Sequence, residues 1–115
     1  MNTKITIILA LVSIGLAIAA GLGLWNRLPD EMASHWNMND QVDGTTSKFW
    51  GVFLMPLFAI GLLAILMLVP SIDPHKANIE QFRGTFNLFI VLITLFLLYI
   101  HALTIAWNLG YQNFR

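Results

Sequence analysis

The sequence predicts an all-α integral membrane protein, with three membrane-crossing helices and an ordered polar loop between the first two. Three observations predict it. Of 115 residues, 57% are hydrophobic and only 10% are charged, whereas a water-soluble domain carries about 25% charged residues. Three apolar runs are each about 20 residues long, enough at 1.5 Å per residue to cross a hydrocarbon core of about 30 Å. Trp25, Trp50 and Trp107 stand at run ends, where amphipathic rings favour the headgroup layer. Backbone in hydrocarbon must satisfy its own hydrogen bonds, so the runs are expected to be helices of one membrane domain.

The first run spans Ile5 to Trp25, with no charge between Lys4 and Arg27. Its start, with Ala17-Ile18-Ala19, has some features of a cleaved signal peptide. The apolar stretch continues past that point, however, and is longer than a signal core. Gly15, Ala19 and Gly23 form a row of small residues at four-residue spacing, which lets two backbones approach where lipid gives no hydrophobic drive. The row's expected partner is another helix of this chain or of a second copy, the latter giving a homo-oligomer. The second run, Phe49 to Val69, is bounded by Lys48 and by Pro70 with Asp73.

The third run, Gly84 to Trp107, is bounded by Arg83 and the polar tail 108–115. Along it Asn87, Thr94, His101 and Asn108 recur every seven residues, so they share a face with slow drift. That face is expected to point into the bundle. Apart from the phenol of Tyr99, His101 is the only ionisable side chain well inside a run. It is either a proton or ligand contact within the membrane, or an imidazole hydrogen-bonded to Thr104 or to a neighbouring helix, the simpler reading.

Composition excludes several classes. The net charge is zero and no basic run exists, so neither a nucleic-acid partner nor a polybasic membrane-surface segment is expected. Without cysteine there is no disulfide framework or thiolate metal site. In the 26–48 connection, Asn39, Gln41, Asp43 and Gly44 imitate the opening of an EF-hand, but the twelfth position, which needs a bidentate Glu, is Trp50. His35 with Asp40 or Asp43 falls short of a zinc ligand set. Ser34 beside His35 is not triad geometry. No feature argues for an enzyme, a metal or a cofactor.

Orientation rests on a tie. Lys4, Lys76 and Arg83 lie on one side and Arg27, Lys48 and Arg115 on the other. The free amino terminus and the acidic first connection favour the amino end inside.

That connection carries the most information. It is dense in turn-forming residues, including Pro29 and Asp43-Gly44, and its length marks it as an ordered feature rather than a slack linker. Leu28-Pro29-Asp30, His35-Trp36-Asn37, Asp43-Gly44 and Ser47-Lys48, followed by Pro56 and by Asp73-Pro74-His75-Lys76-Ala77-Asn78-Ile79, resemble the signature of the SdpI-type membrane proteins. That bacterial and archaeal family is named for immunity to a sporulation-delaying toxin. The resemblance covers about residues 25–80 and implies the family's amino-terminal module. Asp40 stands where the family usually has Gly, and Asp is one of the few residues that tolerate a positive φ there. Longer members continue with further helices beyond the third span, so this chain reads as a short form or a cut one.

The resemblance implies toxin immunity and signalling, and therefore a toxin peptide and a cytoplasmic repressor as partners beside the lipid bilayer. It places ligand recognition on His35, Trp36, Asn37, Asp43 and Lys48, and partner contacts on Asp73, Pro74, His75, Lys76 and Asn78. Turn shaping alone also accounts for Pro29, Asp30, Asp43 and Gly44, and a helix stop and restart accounts for Asp73 and Pro74. Two other classes compete. One is a transporter-like or regulatory bundle with a site at His101, for which Pro56 would break the second helix. The other is a structural accessory subunit.

Overall fold

A computed structural model of the chain describes residues 1–72 and 80–113. In order, it contains helix α1 (Thr3–Gly23), a 3-10 turn (Trp25–Arg27), strands β1 (Glu31–Trp36) and β2 (Val42–Ser47), helix α2 (Lys48–Ile72) and helix α3 (Arg83–Asn108). All three helices are long and apolar enough to cross a membrane. Within their most apolar windows only 22%, 22% and 28% of residues are buried. The remainder is an apolar exterior, which on helices this long requires lipid. The chain is thus a three-span, mostly helical membrane protein.

Helices α2 and α3 extend slightly past their apolar runs, whereas α1 starts two residues before its run and ends at Gly23, two residues short of Trp25. Asn2 caps α1, its side-chain oxygen accepting the Lys4 and Ile5 amides at 2.7 and 3.4 Å. Helix α2 runs through Pro56 without a break and continues to Ile72, past Pro70, which the sequence marks as the boundary of the second run. A proline removes one amide donor and here does not end the helix. The continuous path through Pro56 also lacks the discontinuity that a transporter-type site would use.

Alternate helices run in opposite directions, which decides what meets at each end. The end of α1, the start of α2 and the end of α3 share one end of the bundle with the β-hairpin. Met1 and Arg83 share the other, where Arg83 Nε donates to Thr3 Oγ1 at 3.2 Å. All four tryptophans, Trp25, Trp36, Trp50 and Trp107, therefore lie at the hairpin end, within an aromatic layer that includes Phe49 and Phe53. The long axis of 47 Å exceeds a hydrocarbon core of about 30 Å, leaving room for the hairpin above it.

Two apolar clusters hold the bundle. Ala10, Leu63 and Ile90 form the lower one. Leu28, Met32, Val52 and Ile105 form the upper one and bring the hairpin into the core. Close approach depends on two glycines. A Cβ on Gly21 would meet Val52 Cγ1 at 2.7 Å, and one on Gly51 would meet Met32 Sδ at 2.5 Å. The expected row behaves differently: a Cβ on Gly15 or Gly23 would meet nothing within 4 Å, and Ala19 is exposed. The row faces away from the other two helices, so within the chain Gly21 rather than Gly15 or Gly23 gives the close approach.

Candidate functional site

The connection predicted as a polar loop is a two-stranded antiparallel hairpin. Glu31 pairs with Ser47, Met32 with Thr46 and Ala33 with Thr45, and the register shifts on either side of His35. Its tip is made by Asn37, whose backbone N–H donates to Gln41 O at 2.8 Å. The Asn37 side-chain oxygen accepts the Asn39 and Gln41 amides at 2.9 and 3.0 Å. Asp40 follows at φ +61, the left-handed conformation expected where the family has Gly. Asp43-Gly44, expected to shape a turn, lies within β2, where Gly44 sits opposite His35. The turn chemistry comes instead from Asn37, through an Asx-type arrangement.

The hairpin is fixed to the bundle at four places. Met32 is fully buried against Gly51. Trp36 meets Trp107 edge to face at a centroid distance of 5.6 Å. Lys48 donates to Trp25 O at 3.0 Å, lies 3.5 Å from the Asp30 carboxylate and rests over the Trp25 ring. Asn108 accepts the Ala33 amide at 2.8 Å and donates to the Ala33 carbonyl at 3.0 Å. On the open edge of β1 one side chain thus supplies both bonds that a third strand would supply.

These contacts sort the predicted site residues. Trp36, Asn37 and Lys48 build and anchor the hairpin. His35 and Asp43 do not anchor it to the bundle: His35 Nδ1 donates to Asp43 Oδ1 at 2.5 Å across the strands, with 73% of the His35 side chain exposed. Residues Asp73, Pro74, His75, Lys76 and Asn78 lie outside the described residues.

The seven-residue stripe on α3 faces inward, as its spacing predicts. Asn87, Thr94 and His101 are buried, at 0, 4 and 6% exposure. Asn87 donates to Met1 O and Thr3 Oγ1 at 2.9 and 3.0 Å, and its own Oδ1 has no partner among the described residues. Thr94 donates to Ile90 O within its own helix.

His101 differs from the rest. Thr104, its expected partner, donates to Ile100 O instead, the usual bond of a helical threonine to the preceding turn. Among the described residues His101 makes no hydrogen bond, and its enclosed Nε2 is unsatisfied. The imidazole borders two cavities, one of about 320 Å³ under the hairpin between α2 and α3, and one of about 300 Å³ between α1 and α3. Sequence reasoning singles out His101. It misses that Ala33, Ser34 and Thr46 of the hairpin line the same cavity, because a loop reading gives those positions no direction. Among the described residues no three His, Asp or Glu side chains are grouped to hold a metal.

Comparison with known proteins adds one family. Residues 6–60 match a domain of unknown function, DUF1648. The match takes in α1 from Thr6 onward, the whole hairpin and the first half of α2 and stops short of α3. It therefore includes His35, Asp43, Lys48 and Gly51 but not His101 or Asn108. No curated protein and no solved structure matches the chain.

Proposed function

We propose that this membrane protein is a recognition protein rather than an enzyme, binding a peptide or small ligand on the exposed surface of its hairpin. The observation that carries the reading is the His35–Asp43 pair, held on a hairpin anchored through other residues. The fold does not need an imidazole there: the tip is made by Asn37, and the anchors are Met32, Trp36, Lys48 and Asn108. An exposed imidazole–carboxylate pair on a rigid support offers directional polar contacts to a partner at little ordering cost.

The SdpI-type resemblance supplies the biological reading, immunity to a secreted peptide toxin with signalling to a cytoplasmic repressor. With the amino end inside, the hairpin faces outward, where such a peptide arrives. The fully exposed Met38 at the hairpin tip adds an apolar contact suited to a peptide that enters membranes.

The test is survival of toxin-sensitive bacteria producing the chain and challenged with a sporulation-delaying peptide, beside a His35→Ala copy at matched membrane levels. Protection by the parent that is lost in the variant is the expected result. No protection from a correctly inserted parent removes immunity to that toxin, and equal protection by both copies removes the hairpin pair as the recognition surface.

A further inference from the structure

We infer that the cavity beneath the hairpin is a binding site for an uncharged lipophilic molecule bearing a hydroxyl, drawn sideways from the bilayer. The site is separate from the exposed hairpin surface, and neither proposal depends on the other. The starting point is His101, only 6% exposed and without a hydrogen bond to any described residue. An uncharged imidazole has one nitrogen that donates and one that accepts. Here Nε2 is enclosed without a partner, and an unsatisfied buried polar atom costs free energy that a bound partner recovers.

The surroundings specify the partner's chemistry. The cavity, about 320 Å³, is at the small end of the range for ligand pockets. Its polar lining residues are Ser34 and Thr46 of the hairpin with Thr104 and His101 of α3, and Leu54 and Phe58 form an apolar wall. No charged residue among the described residues lines it, so a charged head group would enter without a counter-charge inside a membrane span. A hydroxyl both donates and accepts, so it can bond one imidazole nitrogen in either tautomer.

The apolar wall also gives the route. Leu54 and Phe58 are 58% and 57% exposed on a membrane-spanning helix, so the cavity opens on the lipid-facing side of α2. The second cavity touching His101 is lined, apart from that residue, by Tyr111 and apolar side chains. It lacks the cluster of hydroxyls that would hold a head group.

The full chain is reconstituted in phosphatidylcholine vesicles with a photoreactive long-chain alcohol, or with the matching hydrocarbon that lacks the hydroxyl. The alcohol is expected to label the Leu54–Phe58 segment about tenfold more than the hydrocarbon, the ratio of one hydrogen bond in an enclosed site. His101→Leu is expected to reduce alcohol labelling to the hydrocarbon level, and His101→Gln to retain most of it. Equal labelling by the two probes, labelling at Leu98 and Ala102 instead, or unchanged alcohol labelling in His101→Leu overturns the proposal. If His101→Leu fails to reach the membrane, Leu54→Trp decides: it obstructs the lipid-side opening, so lost alcohol labelling supports the site and retained labelling overturns it.

Discussion

The two ends of the bundle are each held by an asparagine of α3, and the two asparagines are used differently. At the hairpin end, Asn108 satisfies both its amide nitrogen and its oxygen, bonding the Ala33 backbone twice and the Thr104 carbonyl at 2.8 Å. At the other end, Asn87 donates to Met1 and Thr3 but leaves its oxygen enclosed, with no partner among the described residues. The aromatic layer, the hairpin and the His101 cavity all lie toward Asn108. The difference shows where this chain concentrates its fixed geometry. One end holds a folded element in register, whereas the other fastens the start of a helix that Asn2 already caps.

The largest effect expected from breaking this asymmetry is at Gly51. Valine there drives a side chain into Met32, which is fully buried. Overpacking of this kind costs about 3 kcal/mol. Thermal unfolding in detergent should show the loss, and Met32→Ala in the same chain should restore part of it. A Gly51→Val chain as stable as the parent would mean that the hairpin does not sit against α2 at this point.

Next come the two asparagines. Asn108→Ala leaves an amide and a carbonyl of Ala33 without partners and is expected to cost about 2 kcal/mol. Asn87→Ala removes two bonds but also an enclosed oxygen that they leave unsatisfied, so about 1 kcal/mol is expected. The ratio is the sharper measurement: equal losses would erase the contrast between the ends. Tryptophan fluorescence separates the mechanisms, because only Asn108→Ala should disturb the Trp36–Trp107 contact.

The smallest effect is at the hairpin tip. Asp40 occupies a positive φ that a β-branched residue adopts only under strain. Asp40→Val should cost about 1 kcal/mol and Asp40→Gly much less, measured by the same unfolding transition. Equal costs would show that the Asp40 side chain, rather than its backbone, holds the turn.

The helices are legible in the sequence because apolar length and sparse charge are properties of a whole segment, and no tertiary contact is needed to see them. The inward face of α3 is legible for a related reason, since four polar residues at one spacing on an apolar helix have few other places to go. The hairpin is not. Strand β1 reads Glu-Met-Ala-Ser-His-Trp, without the β-branched alternation that marks a strand. The conspicuous Asp43-Gly44 pair stands inside β2 rather than at the tip.

Spacing alone also does not reveal which glycines pack within the chain. Gly15, Ala19 and Gly23 make a regular row that faces outward, while Gly21 and Gly51 are isolated in sequence and meet side chains from elsewhere in the fold. Lys48 stands out in the sequence by its motif and Asn108 by its seven-residue spacing, but neither signal names a partner. Their partners are main-chain carbonyls and amides at distant positions, which no residue motif reveals.

Asn108 grips main-chain atoms of Ala33 and asks nothing of the side chains on the strand it holds. The attachment is therefore indifferent to what the outward positions of the hairpin carry. Residues at 35 and 43 can be exchanged for others of quite different chemistry while the strand keeps its place above the membrane. If the hairpin is the recognition surface proposed above, it can change what it recognises one substitution at a time, and its anchorage does not have to change with it.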